Sequence, residues 1–221
     1  MYIDITSDVV CPWCFIGKRH LEAAMAQRPG IAFAVRWHPF ELNPDLPPGG
    51  MRRADYARRK FGADQSRLQA IFQRVENAAA AAGLALNLGG IERQPNTLSA
   101  HALIEAAFGE DGDAERQNRV VEALFTAFLV QGCDVGDPDT LRAIATSAGI
   151  TDHEISHALS DDDARAAVRT RSEQARRSGV QGVPHFVIGE KYALSGAQPV
   201  ELFLQAFDQI ASETKTLAGA P

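Results

Sequence analysis

Tyr2-Ile3-Asp4-Ile5-Thr6-Ser7-Asp8-Val9-Val10-Cys11-Pro12-Trp13-Cys14 is the stretch from which the rest of the chain can be read. Residues 2–7 are apolar or β-branched at alternate positions and predict a short buried strand. From Phe15 the period changes: Phe15, Ile16, Leu21, Ala24 and Met25 fall on one helical face until Pro29-Gly30 stops it. The two cysteines therefore stand at the end of a strand and in the first turn of a helix. Unpaired backbone N–H groups and the positive end of the helix dipole favour a thiolate there. That matters because an ordinary cysteine, with pKa ~8.5, is only a few per cent ionised near neutral pH. A three-residue offset on a helical turn also brings the Cα atoms to roughly 5–6 Å, within disulfide range. The pattern points to redox chemistry at Cys11 and Cys14.

Two plainer readings are weaker. A structural zinc site needs about four ligands, usually a second close pair. The only other cysteine is Cys133, and His153 and His157 lie in an acidic, solvated-looking stretch. No metal is expected. A purely structural disulfide is also poor, since so short a loop removes little unfolded-chain entropy.

Working outward, Ile31–Trp37 predicts a second strand broken by His38-Pro39, which completes a βαβ unit with the dithiol at its first turn. In open α/β sheets ligand chemistry gathers at that end of the strands. Pro44, Pro47-Pro48 and Gly49-Gly50 mark a boundary, and from about Ala54 to Ser178 the pattern is helical. Asp137-Pro138-Asp139 and Thr151-Asp152-His153-Glu154 read as capped helix starts. Val183 to Gly196 predicts a hairpin turning at Gly189-Glu190-Lys191, and an amphipathic helix follows Pro199. The reading is an α/β fold whose core is formed by residues 1–50 and 161–221, with a helical subdomain inserted at 51–160.

Composition limits the function. The chain has 221 residues, 45% of them hydrophobic, and no run near the ~20 apolar residues of a membrane span. A net charge of −6 argues against nucleic acid, and the clusters Arg52-Arg53 and Arg58-Arg59-Lys60 read as solvated helix surface. Met1 leads straight into strand-like sequence without a basic or apolar leader, so a cytoplasmic location is expected. A reducing compartment also suits a chain with three cysteines.

Cys11-Pro12-Trp13-Cys14, Gly182-Val183-Pro184 opening the late hairpin, and the helical block between them resemble the DsbA-like branch of the thioredoxin superfamily. Trp37-His38-Pro39-Phe40-Glu41-Leu42-Asn43-Pro44 and Asn96-Thr97-Leu98-Ser99-Ala100-His101 are similar to its FrnE-like cytosolic members. The resemblance implies a thioredoxin-like fold with an inserted all-helical subdomain and a thiol–disulfide oxidoreductase or isomerase. Pro184, which alone reads as an ordinary strand-start proline, would then follow a cis bond and face the dithiol. Val183, Pro184, Pro12 and Trp13 would hold an extended substrate chain. Cys11 is the expected nucleophile, nearer the helix start and more exposed, and Cys14 the resolving thiol. Trp13 stands where DsbA carries histidine, which implies a weaker oxidant.

The superfamily also holds kappa-class glutathione transferases and 2-hydroxychromene-2-carboxylate isomerases, which typically carry serine in place of Cys11. A glutathione-dependent isomerase is therefore the rival enzyme, and a redox-linked chaperone for unfolded chains the rival binding protein. The expected partners are thiol- or disulfide-bearing proteins or small molecules, with glutathione as reductant or co-substrate, no other cofactor, and room for a homodimer. His38 and Glu41 are candidates for tuning a buried proton near Cys14, against the plainer reading of solvated strand-end residues. His185 would line the cleft or face solvent. Trp37 and Phe40 read as core or cleft wall, His101 as a hydrogen-bonded helix residue and Cys133 as a bystander.

Overall fold

The structure, a computed structural model, describes residues 1–218. β1 (Tyr2–Ser7), β2 (Ala34–Pro39), β5 (His185–Ile188) and β6 (Tyr192–Ser195) form one mixed sheet in the order β2-β1-β5-β6. β1 runs parallel to β2 and antiparallel to β5, and β5 pairs antiparallel with β6. Met51–Arg52 (β3) and Arg93–Gln94 (β4) make a separate two-stranded ladder. The helices among the described residues are α1 (Pro12–Ala26), α2 (Arg53–Phe61), α3 (Gln65–Ala81), α4 (Leu98–Phe108), α5 (Ala114–Phe125), α6 (Pro138–Ser147), α7 (Asp152–Ser160), α8 (Asp162–Arg177) and α9 (Val200–Ala218). None is long and apolar enough to cross a membrane. This is the α/β arrangement that the order of sequence patterns predicts, in the thioredoxin-like form that the family resemblance implies.

Local sequence explains most element ends. Asp64 caps α3 by accepting from the Ser66 and Arg67 N–H groups, and Asp137 caps α6 through Thr140 with Pro138 in its first turn. Thr151 and Glu154 close a reciprocal capping box on α7. The hairpin turns where expected, with both Gly189 (φ 58) and Glu190 (φ 61) in the left-handed region.

The second strand differs from expectation. It starts at Ala34 rather than Ile31 and continues through His38 and Pro39, with Pro39 in register with Ser7. β2 is an edge strand, so a proline without an N–H breaks no ladder there. Its outer edge is covered by α5: the Trp37 N–H donates to Gln117 Oε1 at 2.9 Å, and Gln117 Nε2 donates to the Trp37 carbonyl at 3.1 Å.

Ile3, Ile5, Phe186 and Ile188 are fully buried on the central strands. Phe203 and Phe207 of α9 join the same core, Phe186 meeting Phe203 edge-on at 4.9 Å. On α1, Phe15 stacks on Phe125 of α5 at 5.0 Å, and Trp37 meets Phe125 edge-on at 6.2 Å. An ion network reinforces this joint. Lys18, almost wholly buried, lies 2.7 Å from Glu122 and also pairs with Glu22, while Arg19 pairs with both glutamates.

Arg53 corrects the reading of its cluster as solvated. It is half-buried, lies over the Tyr56 and Phe72 rings at 5.4 and 6.0 Å, and donates to Gln94. Burial pulls its pKa below the ordinary value. The guanidinium plane and aliphatic stem of arginine pack on aromatic faces in a way a helical wheel does not foresee. Arg58, Arg59 and Lys60 are exposed.

Candidate functional site

β1 ends at Ser7, and the Cys11 N–H donates to the Asp8 carbonyl at 3.0 Å, closing a turn that aims the chain into α1. Cys11 occupies the N-cap with extended backbone (φ −93, ψ 109), and Pro12 follows where its missing N–H is harmless. The Cys11 carbonyl accepts from the N–H groups of Cys14 and Phe15 at 3.0 and 3.4 Å. No side chain caps α1 and its first turn holds no acidic residue. Its leading N–H groups thus stay available to a negative charge arriving from outside the helix.

Both cysteines are unpaired thiols. The expected contrast in exposure is small: Cys11 keeps 5% of its surface and Cys14 1%. The Pro184 loop covers Cys11, whose Sγ lies 3.6 Å from the Val183 carbonyl, and the Val183–Pro184 bond is cis. Burial pushes the Cys14 thiol well above its usual range, and the adjoining Cys11 adds to this. The Ser7 side chain and the Asp8 backbone pull it back in part. The two sulfurs thus have different surroundings, one facing a carbonyl in the loop groove and one enclosed.

The loop meets α1 at Gly17. A Cβ there would stand 3.0 Å from Phe186 Cζ and 3.1 Å from Pro184 Cγ, so any side chain would force one of these neighbours to give by a few tenths of an ångström. Trp13 is half-buried, with Arg74 of α3 at 5.9 Å over its ring. Tyr56 of α2 donates to Asn43 Oδ1 at 3.2 Å; burial raises its pKa, with Asp8 and Cys11 among the smaller contributors.

Among the tuning candidates, His38 turns to the sheet edge, with Nε2 2.7 Å from Asp4 Oδ1. It lines a cavity of about 650 Å³ with Arg36, Glu105, His157 and Arg171, and neither cysteine lines that cavity. His185 is half-buried and sits 3.0 Å from Ser195 Oγ; burial lowers its pKa from 6.5. Glu41 is 1% exposed, contrary to the plainer reading of a solvated strand end. His101 is equally buried, and its Nε2 lacks the hydrogen bond expected of it. Trp37 and Phe40 are core residues. Among the described residues no three His, Cys, Asp or Glu side chains converge as a metal site requires.

Sequence reasoning overlooked Asp8, Tyr56 and Gly17. Asp8 lay inside the decisive stretch, where an acid three residues before the dithiol was a usable signal. Tyr56 and Gly17 carried none, because their neighbours come from distant segments.

The profile of the DSBA-like thioredoxin domain family matches residues 2–208. The probable DsbA oxidoreductase of Streptomyces coelicolor is 32% identical, with a TM-score of 0.83 over 96% of this chain and 91% of its own. A 2-hydroxychromene-2-carboxylate isomerase is 17% identical, with a TM-score of 0.72 over 98% of this chain and 99% of its own. The cytosolic disulfide reductase DsbM from Pseudomonas aeruginosa, solved with GSH, is 18% identical, with a TM-score of 0.59 over 99% of this chain and all of its own. With the last two this chain shares the fold.

Proposed function

The chain belongs to the DSBA-like thioredoxin domain family, and on that premise we propose that it is a thiol–disulfide oxidoreductase or isomerase working through Cys11 and Cys14. The observation that carries this is the pairing of an uncapped helix start bearing Cys11, 3.6 Å from a loop carbonyl, with a buried second thiol one turn on. Cys11, as thiolate, attacks one sulfur of a substrate disulfide. The substrate S–S bond breaks, one sulfur leaves as a thiolate, and the other stays bonded to Cys11. Cys14 gives up its proton and attacks Cys11 Sγ, forming the Cys11–Cys14 bond and releasing the second substrate thiolate. Two glutathione thiols then reduce the enzyme disulfide, leaving oxidised glutathione. No metal or tightly held cofactor enters the cycle.

Val183, Pro184, Pro12 and Trp13 form the groove for the extended segment around the substrate sulfur. We place the protein in a reducing compartment, as a FrnE-like cytosolic member, where reduction or isomerisation prevails over net oxidation. For a two-electron couple ~30 mV is about 1.4 kcal/mol, so a strongly oxidising dithiol would be held reduced by glutathione. The test is insulin reduction with glutathione as electron donor. Cys11→Ser abolishes turnover, and Cys14→Ser accumulates a mixed disulfide visible by mass. Undiminished turnover in Cys11→Ser, or chromene isomerisation by a protein lacking both thiols, overturns the proposal.

A further inference from the structure

Between the edge strand β2 and the helices α4, α7 and α8 lies the cavity of about 650 Å³ that neither cysteine lines. Pockets that hold small molecules run from ~300 to ~1,000 Å³, with apolar walls and a few polar groups that orient the ligand. This one has both. Ala102 and Ala106 of α4, Ala158 of α7, and Ala164 and Val168 of α8 form much of its wall. An alanine side chain reaches only one carbon from the backbone, so the space between these helices and the strand is left unfilled where most of a protein interior is close-packed.

The polar groups around it are mostly donors. Arg36 and His38 come from β2, His157 from α7 and Arg171 from α8, against a single acid, Glu105 of α4, among the described residues that line the cavity. Each donor has an acid beside it. Asp4 accepts from Arg36 Nη2 at 2.7 Å and lies 2.7 Å from His38 Nε2, Asp161 lies 2.9 Å from His157 Nε2, and Glu105 Oε2 accepts from Arg171 Nη1. These pairs leave hydrogen-bonding capacity unused. A guanidinium carries five N–H groups, and Arg36 and Arg171 each give one to a carboxylate. Arg36 Nε is covered and without a partner, and so is Glu105 Oε1. Arg171 is half-exposed, so its remaining N–H groups can be reached from the cavity. A doubly charged ligand would bring its second charge against Asp4 and Glu105; a single negative charge suits this ring better.

We propose that this cavity is a second binding site, for an alkyl carboxylate whose head pairs with Arg171 and whose chain lies along the alanine-lined wall of α4 and α8. The site is separate from the dithiol, and the inference does not depend on the thiol–disulfide cycle. The guanidinium fork matches the two oxygens of a carboxylate. Glu105 holds one N–H of Arg171 and leaves the others to the ligand, while Arg36 and His38 add donors on the strand side. A saturated chain suits a wall built largely of methyl groups, because it adjusts its torsions to each of them. Its burial stabilises the complex in proportion to the apolar area removed from water.

The experiment titrates the full chain, labelled with nitrogen-15, with sodium octanoate and follows amide and indole signals by NMR. The chain has two tryptophans, and they mark the two places: Trp37 lines the cavity, and Trp13 stands between the cysteines. The Trp37 indole N–H, which donates to Asn118 Oδ1 at 3.3 Å, should shift together with the amides of Ala102, Ala106 and Val168 and saturate. The Trp13 indole and the Val183 amide should stay in place. Octan-1-ol, the same chain without the charge, should bind roughly tenfold or more weakly, as expected for the loss of a charged hydrogen bond. Arg171→Gln should bring octanoate down to the level of octan-1-ol or below while leaving octan-1-ol unchanged. A general loss of structure would weaken both. Octanoate that never saturates, that shifts Trp13 in preference to Trp37, or that binds no better than octan-1-ol overturns the proposal. So does an Arg171→Gln variant that keeps the full preference for the acid.

Discussion

Gly17→Ala isolates the contact that seats α1 against the Pro184 loop. The added methyl carbon would stand 3.0 Å from Phe186 Cζ and 3.1 Å from Pro184 Cγ, whereas unstrained carbon pairs rest at ~3.5–4.0 Å. Neither neighbour has slack. Phe186 is fully buried and packed edge-on against Phe203 at 4.9 Å, and the Pro184 carbonyl accepts from the Gly196 N–H at 2.8 Å. Overpacking by one methyl costs ~1–3 kcal/mol, while alanine contributes ~0.8–1 kcal/mol of helix propensity over glycine. The net is a loss of about 1 kcal/mol, which in a domain of this size lowers Tm by roughly 2–4 °C. The effect on activity should be larger in proportion. Pushing the loop off α1 widens the 3.6 Å approach between the Val183 carbonyl and Cys11 Sγ, which is where substrate docks in the proposed cycle. Calorimetry and insulin reduction are run on the same preparation, with free thiols counted to confirm an intact dithiol. A lower Tm with a several-fold drop in kcat/KM is expected. A Tm raised by the full propensity gain, with kcat/KM unchanged, would refute the view that this glycine exists for close approach.

Gln117→Ala strips the cover from the β2 edge and leaves the Trp37 N–H and carbonyl without partners in the interior. At ~1–3 kcal/mol for each of these two groups, urea denaturation should show a loss of about 2–6 kcal/mol; a loss under 1 kcal/mol would mean that water takes the amide's place. Glu41 makes stability depend on pH. Its folded pKa is raised by burial above the ordinary 4.5, so its stabilising share is complete below that value and is lost as pH rises through the folded pKa. Glu41→Gln should therefore gain on the wild type in chemical-denaturation midpoint as pH rises from about 4 to 8, and a constant difference across that range would contradict the buried acid. Asp4 behaves oppositely. Burial works to raise its pKa, but Arg36 and His38 together bring it below the ordinary 3.8. Asp4→Asn should cost stability at neutral pH and lose its effect as the solution is acidified through the folded-state pKa, as followed by thermal melts.

The parts of the fold visible in the chain were those governed by short-range order. The strand before the dithiol, the helix after it, the caps at Asp137 and Thr151, and the hairpin turn at Gly189 each depend on residues within one or two turns of one another. Misreadings came where a distant neighbour changed the meaning of a residue. Pro39 looked like a strand breaker and lies in an edge strand where a missing N–H is harmless. Arg53 looked solvated and packs on two aromatic rings. The ladder of β3 and β4 pairs two residues with two, too short for any period to register.

The chain alone determined the type of fold and where its two neighbouring thiols stand, because periodicity, capping and the spacing of two thiols act over distances the backbone itself spans. Which polar groups share the interior was decided only when the chain closed. Asp8, Glu41 and His101 come from a turn, a strand end and an inserted helix, and apart from Asp8's place ahead of the dithiol nothing in their local sequence sets them apart from solvated counterparts. Burial is a property of what packs around a group, and for these three the packing partners are remote segments: Leu42 on Asp8, α8 on Glu41, and the β1–α1 turn on His101.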